Sequence, residues 1–127
     1  MSRAKLTALT VLRALGPIAL AASVTACAPP ELAAAGNPER GALALKAADC
    51  GACHVIPGIS GARGRIGPTL AGFGRRGYVA GQFPNDTVMV VLWIQDPPAL
   101  KPTTAMPALG IEPAVALDMA AYLEKLQ

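Results

Sequence analysis

The sequence is 53% hydrophobic, but it contains few aromatic residues and too few histidines for a metal site with several of them. Its 127 residues include one histidine, three cysteines and five aromatic side chains. A four-ligand zinc site is excluded, because Cys27 lies far from the other two cysteines and only one histidine is present. The folded part spans about 90 residues and buries limited apolar surface. We therefore expect a further group to complete the core.

An excess of one charge sign is also missing once the first 26 residues are set aside. The chain has 11 Lys and Arg against 8 Asp and Glu, and three of the basic residues (Arg3, Lys5 and Arg13) lie in that first segment. Residues 27–127 therefore carry eight charges of each sign. The basic balance of the whole chain gives no indication of nucleic-acid binding. The charges are unevenly placed, with four arginines between positions 63 and 76.

The first segment contains a hydrophobic run that is too short to span a membrane. The run "ALGPIALAASVTA" covers residues 14–26, whereas a spanning helix needs about 20 apolar residues. Basic residues before a short apolar run that ends in small residues are typical of an export signal. The alternative is an uncleaved anchor from Leu6 to Ala26, inserted despite Arg13.

The sequence "VTAC" (24–27) resembles the lipobox of bacterial lipoproteins, in which the cysteine becomes the first mature residue and carries lipid. We therefore predict a lipoprotein-type signal peptide at 1–26, lipidation of Cys27 and a lipid-anchored tether at 27–37. The protein would then be exported and held at the periplasmic face of a bacterial membrane. The alternative is an ordinary signal peptide that leaves a free thiol, which is a liability in an oxidising compartment.

The predicted folded domain covers residues 38–127 and begins with a helix. Asn37 is a favourable N-cap and Pro38 suits the first helical position. We expect this helix to lead straight into Cys50. The residues predicted to form its apolar face are Gly41, Leu45 and Ala48.

The rest of the domain shows one clear helix and one ambiguous segment. Residues 112–127 have helical periodicity, and 85–98 fit either a strand by their valine content or a short helix capped by Asn85 or Asp86. Between them and the first helix, 56–77 form a long loop without periodicity. The predicted apolar face of the last helix consists of Val115, Met119, Tyr122 and Leu126.

The single histidine directly follows two cysteines in "CGACH" (50–54). On a helical turn, residues three apart share a face, so the thiols of Cys50 and Cys53 can form thioethers with two vinyl groups on one edge of a porphyrin. His54 can then ligate the iron. The pattern indicates one covalently attached haem c, which would also complete the core. A disulfide, a thioredoxin-like pair and a chance match are the alternatives.

A second iron ligand is expected among the methionines. Met89 and Met119 lie in apolar helical stretches, where methionine usually fills the core. Met106 lies in a loop before a proline, about fifty residues after His54. We predict that it is the second axial ligand of the iron, opposite His54. With both axial positions filled, we expect electron transfer rather than catalysis.

Four further side chains are candidates for hydrogen bonds to the haem propionates. Each has an ordinary alternative, since most arginines are solvated and a tryptophan in an apolar run packs in the core. The candidates are Arg75, Arg76, Tyr78 and Trp93.

From about Glu39 to Leu126, the sequence resembles class I c-type cytochromes. The motifs that occur in that family's order are "CGACH", "GPTL" (67–70), "MPALG" (106–110) and "DMAAYLEKL" (118–126). The stretches "ARGRIGPTL", "AGQFPND" and "WIQDPPALKP" are similar to the cytochrome c domain fused to subunit II of some bacterial haem–copper oxidases. That subunit also has membrane helices and a dinuclear copper motif, which are not seen here, so we expect a separate carrier.

The resemblance implies an all-α fold of three to four helices with long loops, wrapped around one covalently bound haem. It implies that 85–94 are helical, that the Pro68 carbonyl accepts a hydrogen bond from His54, and that Gly41 and Tyr122 meet where the first and last helices cross. Thr104 departs from the family, which commonly has glycine there.

The function implied is that of a one-electron carrier and not an enzyme. Its expected partners are redox proteins, with a quinol-oxidising complex or a dehydrogenase as donor and a terminal haem–copper oxidase as acceptor. The membrane is contacted through the lipid anchor, and neither nucleic acid nor a small-molecule substrate is expected. The alternatives are an electron-accepting subunit of a periplasmic dehydrogenase, a haem enzyme or gas sensor in which Met106 is labile, and a thiol-redox lipoprotein without haem.

Overall fold

The computed structural model describes residues 35–127. The predictions for the signal peptide, for Cys27 and for most of the tether lie outside these residues. The elements, in chain order, are helix α1 (Pro38–Ala47), a 3-10 turn (Cys50–Ala52), a second 3-10 turn (Phe73–Arg75), strands β1 (Tyr78–Val79) and β2 (Phe83–Pro84), and helices α2 (Thr87–Gln95), α3 (Pro97–Leu100) and α4 (Pro113–Glu124).

Helix α1 begins where the sequence predicts. The Asn37 side chain accepts a hydrogen bond from the Arg40 N–H at 2.7 Å, and Pro38 occupies the first helical position. The helix does not run straight into Cys50, so that expectation was wrong. It ends at Ala47, and Asp49 then adopts a left-handed conformation with φ of 52°, which aspartate tolerates better than most residues.

Helices α1 and α4 pack at close range through Gly41. A Cβ atom at this position would overlap the carbonyl oxygen of Asp118, so only glycine allows the approach. Asp118 is buried and accepts hydrogen bonds from the Asn37 N–H at 2.6 Å and from Arg40 Nε at 2.6 Å. The backbone that Gly41 approaches is that of Asp118, and Tyr122 lies one turn further along α4. The hydroxyl of Tyr122 donates to the carbonyl of Pro57 at 2.7 Å.

The predicted apolar face of α4 is wrong at Val115, which is 38% exposed. Helix α4 packs against α1 on one side and α2 on another, so its buried surface is wider than a single stripe. The buried apolar residues of α4 are Ala116, Leu117, Met119, Ala120 and Leu123.

The ambiguous segment is helical, as the resemblance implies. The Asp86 carboxylate caps α2 by accepting the Met89 N–H at 2.9 Å, and Val90, Val91 and Ile94 face the core. Burial of these residues against α4 outweighs the strand propensity of valine. A short helix, α3, follows at once and was not predicted, and Asp96 caps it by accepting from the Ala99 N–H at 3.1 Å.

A small antiparallel ribbon also went unpredicted. Strands β1 and β2 pair Tyr78 with Pro84 and Val79 with Phe83. The connecting turn places Ala80 and Gly81 at φ of 54° and 76°, as in the tight turns that suit a hairpin. Because each strand has two residues, the predicted all-α class is confirmed. No helix between residues 35 and 127 is both long and apolar enough to cross a membrane.

Candidate functional site

The "CGACH" stretch, which we call the attachment turn, contains a 3-10 turn (Cys50–Ala52) that is capped by Cys53. The Cys53 and His54 N–H groups both donate to the Cys50 carbonyl, at 3.3 Å and 3.0 Å. Side chains at positions i and i+3 of a 3-10 turn eclipse each other. Cys50 and Cys53 therefore project on the same side, and both are half-buried free thiols.

Burial raises the pKa of the Cys50 thiol above its ordinary value, and the neighbouring Asp49 and Cys53 add to the rise. A raised pKa keeps a thiol neutral, whereas thiol-redox catalysis requires a stabilised thiolate. The environment of Cys50 thus disfavours the thioredoxin-like alternative, as does the absence of a βαβ unit from residues 35–127.

The imidazole of His54 is held in one tautomer. Its Nδ1 lies 2.7 Å from the carbonyl oxygen of Pro68, and a carbonyl only accepts, so in the neutral imidazole Nδ1 carries the proton and Nε2 has the lone pair. A Cβ atom on Gly67 would overlap the ring at Cε1. The ring edge therefore rests against the Gly67 backbone, with Nε2 available to a metal.

The first part of the long loop is fastened to the attachment turn by its backbone. The Gly64 N–H donates to the Gly51 carbonyl at 2.9 Å, and the Gly67 N–H donates to the Cys53 carbonyl at 2.9 Å. A Cβ atom on Gly64 would overlap the Ala52 carbonyl. Residues 62–67 thus lie directly on the turn, which fixes the position of Pro68 relative to the histidine.

Met106 is half-buried in the loop between α3 and α4. Its N–H donates to the hydroxyl of Thr104 at 3.2 Å, and the Thr104 N–H donates to the Lys101 carbonyl at 2.9 Å. Thr104, which departs from the family's common glycine, therefore closes the turn that precedes Met106.

The four candidates for propionate contacts lie in different surroundings. Arg75 and Tyr78 are exposed, whereas Trp93 is half-buried against Phe83, with ring centroids 6.1 Å apart. Arg76 is half-buried and folds back on its own loop. No hydrogen bond joins any two of the four side chains, all of which fall within the described residues 35–127.

The guanidinium of Arg76 holds the part of the loop that directly follows Pro68. Its Nη2 donates to the carbonyls of Thr69 and Ala71. The Cζ atom of Arg76 lies 5.5 Å from the centre of the Phe73 ring. Part of the hydrogen-bonding capacity of Arg76 is therefore used within the protein.

Sequence reasoning missed the role of Asn85, which it considered only as a helix cap. Its Nδ2 donates to the carbonyls of Phe73 and Arg76 at 2.9 Å and 3.0 Å, and its N–H donates to the Gly77 carbonyl at 3.1 Å. Asn85 thereby fastens residues 73–77 to the start of α2. A polar residue between a proline and an aspartate gives no periodic signal that would have revealed these contacts.

The residues present fit a covalently attached haem. Cys50 and Cys53 are free thiols, the Nε2 atom of His54 makes no hydrogen bond within residues 35–127, and the ring of His54 packs against the backbone of Gly67. Thiol, imidazole and thioether are the groups that hold haem c and its iron.

Comparison with known proteins agrees with this geometry. The family model described as Cytochrome c matches residues 38–127. Over 59 residues, the chain is 37% identical to cytochrome c oxidase subunit 2 of Alkalihalophilus pseudofirmus (strain ATCC BAA-2126 / JCM 17055 / OF4), a match that covers 46% of this chain and 16% of that relative. The chain thus matches only a small part of the relative. The protein belongs to the cytochrome c family, as a class I c-type cytochrome that binds haem c covalently and carries electrons.

Proposed function

We propose that this protein is an exported, membrane-tethered monohaem cytochrome c that delivers single electrons to a terminal haem–copper oxidase. The observation that carries the proposal is the attachment turn, in which two free thiols share one side and His54 is fixed by Pro68. The choice of an oxidase as acceptor is supported by the similarity to an oxidase subunit 2.

In this proposal, Cys50 and Cys53 form the thioethers, and His54 and Met106 ligate the iron. Haem c, when bound, supplies a one-electron couple. The Pro68 carbonyl fixes the ring of His54 and, by accepting a hydrogen bond from Nδ1–H, increases the basicity of Nε2. The Met106 thioether is a neutral ligand that favours the reduced state.

The position at which helix α1 begins is compatible with a tethered carrier. Asn37 lies at the start of α1 and the attachment turn follows the end of that helix, so ten helical residues separate them by about 15 Å. A tether that ends at Asn37 would enter the domain away from the attachment turn and leave it free for partners. Anchoring at Cys27 would raise the effective concentration of the carrier near membrane partners.

The test is the visible spectrum of the full chain, produced in cells that attach haem. We expect a covalently stained band after denaturing electrophoresis, a low-spin ferrous spectrum and the weak red absorption of a ferric methionine complex. Met106→Ala should abolish that absorption, whereas Met89→Leu, on α2, should leave it unchanged. A high-spin spectrum in the wild type would contradict ligation by His54 and Met106.

The acceptor is tested separately. The reduced protein should support oxygen consumption by a purified haem–copper oxidase, and cyanide should stop it. Efficient chemical reduction and reoxidation without any turnover by the oxidase would retain the carrier and reject this acceptor.

A further inference from the structure

Met106 lies in a segment that has few connections to the rest of the domain. Residues 102–110, which we call the methionine segment, are exposed except for the half-buried Thr104 and Met106. Within residues 35–127, the segment takes part in two hydrogen bonds. The Thr104 N–H donates to the Lys101 carbonyl at 2.9 Å, and the Met106 N–H donates to the Thr104 hydroxyl at 3.2 Å. Both bonds are local, so the position of Met106 depends on how the ends of the segment are held.

A side-chain hydrogen bond fastens each end of the methionine segment. After the segment, the carbonyl of Ile111 accepts from Nε2 of Gln95 on α2 at 3.2 Å. Before the segment, Nζ of Lys101 donates to the carbonyl of Ala80 at 3.3 Å, although the two residues are 21 positions apart. Lys101 thus joins the start of the methionine segment to the turn between β1 and β2.

The Ala80 carbonyl is a firmly held acceptor. Ala80 has a left-handed φ of 54°, and the strands on either side of its turn pair Val79 with Phe83. The Gln82 N–H closes the turn by donating to the Val79 carbonyl at 3.2 Å. Val79 is buried, and the ring of Phe83 lies 6.1 Å from that of Trp93 on α2. A side chain bound to the Ala80 carbonyl is therefore tied, through the ribbon, to α2.

The charge of Lys101 has no acidic partner nearby. Lys101 is the single charged residue between Pro97 and Ile111, and no carboxylate within residues 35–127 forms an ion pair with it. Its side chain is half-buried, whereas most lysines extend into solvent. An ammonium group has three donors and no acceptor, and a hydrogen bond from a charged donor is stronger than one from a neutral donor. Lys101 therefore directs its charge to a backbone carbonyl.

We infer that Lys101 is a positioning residue for Met106, because its bond to the Ala80 carbonyl holds the start of the segment that carries the thioether. The inference rests on the proposed function, in which Met106 ligates the iron. Groups behind a metal ligand fix its orientation and its affinity for the metal. A segment with few bonds of its own opens locally once one end is released. Loss of the Lys101 bond should therefore let Met106 leave the iron more often, while the helices stay folded.

The test measures how fast imidazole displaces Met106 in the ferric, haem-loaded full chain. Displacement is followed by the loss of the weak red absorption of the ferric methionine complex. At high imidazole concentration the rate reaches a plateau, which is the rate at which Met106 leaves the iron. Lys101→Gln removes the charged donor, and Lys101→Arg keeps one. Lys125→Gln is the matched control, because it removes an exposed lysine of α4's end that makes only a surface ion pair.

We expect the plateau rate of Lys101→Gln to be about tenfold that of the wild type, as expected for the loss of a hydrogen bond from a charged donor. Lys101→Arg should return the rate to within about twofold, and Lys125→Gln should leave it unchanged. Amide exchange gives a second readout. In Lys101→Gln, the amides of Thr104 and Met106 should exchange about tenfold faster, whereas that of Val90 on α2 should not change.

Tyr122→Phe distinguishes positioning from general loosening, because it removes a hydrogen bond far along the chain, between α4 and Pro57. If its plateau rate rises as much as that of Lys101→Gln, the rate reports overall stability and the inference is wrong. It is also wrong if Lys101→Gln behaves as the wild type, or if Lys101→Arg fails to restore the rate. A wild type that lacks the red absorption would instead contradict the proposed ligation by His54 and Met106.

Discussion

The helical frame and the loop around the attachment turn are held together in different ways. The frame, formed by α1, α2 and α4, is stabilised by buried apolar side chains at helical spacing, such as Leu45 and Met119. The loop of residues 50–77 buries few side chains and is fastened by backbone hydrogen bonds and close glycine contacts. The frame is thus specified by the pattern of its apolar side chains, and the loop by the positions of its glycines, which have no side chain.

Glycine shows the difference most clearly. Gly41 lets the backbone of α1 approach that of α4, so it belongs to the frame. Gly67 lets the backbone approach the His54 ring, so it belongs to the site. The same substitution at these two positions should separate stability from ligation.

The largest effect is expected for Gly41→Ala. The added methyl group overlaps the Asp118 carbonyl and must push the two helices apart, and such overpacking costs about 3 kcal/mol. This exceeds the gain of about 1 kcal/mol from the better helix propensity of alanine. We expect the thermal midpoint to fall by about 10 °C, with the visible spectrum of the folded protein unchanged, as measured by calorimetry and absorption.

Gly77→Ala is the matched control, because a Cβ atom there meets nothing within 4 Å and the backbone is not left-handed. Its midpoint should stay within about 2 °C of the wild type. Equal stability of Gly41→Ala and Gly77→Ala would show that the helix crossing does not hold the frame.

Gly67→Ala should act mainly on the site. The methyl group overlaps the His54 ring and displaces it from the Pro68 carbonyl. We expect a smaller loss of about 1.5 kcal/mol in stability and, in contrast to Gly41→Ala, a weakened low-spin spectrum. Absorption spectra of both variants at equal folded fractions provide the comparison. An unperturbed spectrum in Gly67→Ala would show that the ring tolerates the change and that the glycine serves only packing.

The frame was largely predictable from sequence, whereas the loop was not. Asn37, Pro38 and the periodic residues of α4 indicate helices through capping and spacing. These signals depend only on residues that are close together in the sequence. The exposure of Val115 was missed because periodicity reports one face, while α4 contacts two helices. The prediction that α2 is a helix required the family resemblance, because its valines favour a strand and the sequence alone does not show how they are buried.

The haem cofactor was predicted from the types and the spacing of three neighbouring residues. Cys50, Cys53 and His54 are adjacent in sequence, so their spacing alone indicates the cofactor. The contacts of Arg76 and Asn85 join residues that are 5 and 12 positions apart, through backbone carbonyls that every residue possesses. The sequence therefore does not indicate which carbonyls these side chains will bind.

Asp118→Asn should weaken the frame in a pH-dependent way. Hydrogen bonds from Arg40 and from the Asn37 N–H hold the pKa of the Asp118 carboxyl below its ordinary value. The ionised form therefore stabilises the fold above the unfolded pKa of about 3.9, and this contribution is lost as pH falls through the lower, folded pKa. We expect the thermal midpoint of the variant to lie about 8 °C below that of the wild type at pH 7.

The gap between the two proteins should be constant above about pH 5 and should narrow as the solution is acidified below about pH 4. Thermal melts across that range measure it. Lys125→Gln serves as the control, since the Lys125–Glu39 pair is exposed at 3.7 Å and contributes little. A gap that stayed constant at every pH would assign the stability to shape and not to the charge of Asp118.

The smallest effect is expected where the two regions meet. Tyr122 on α4 donates its hydroxyl to the Pro57 carbonyl in the loop, at 2.7 Å. Tyr122→Phe keeps the ring and removes this bond, which is worth about 1 kcal/mol. If the loop and the frame unfold as one unit, the thermal midpoint falls by about 5 °C and amide exchange accelerates equally in both. If exchange accelerates only in residues 55–63 and the midpoint is unchanged, the loop opens on its own, and the region specified by backbone contacts is also the less stable one.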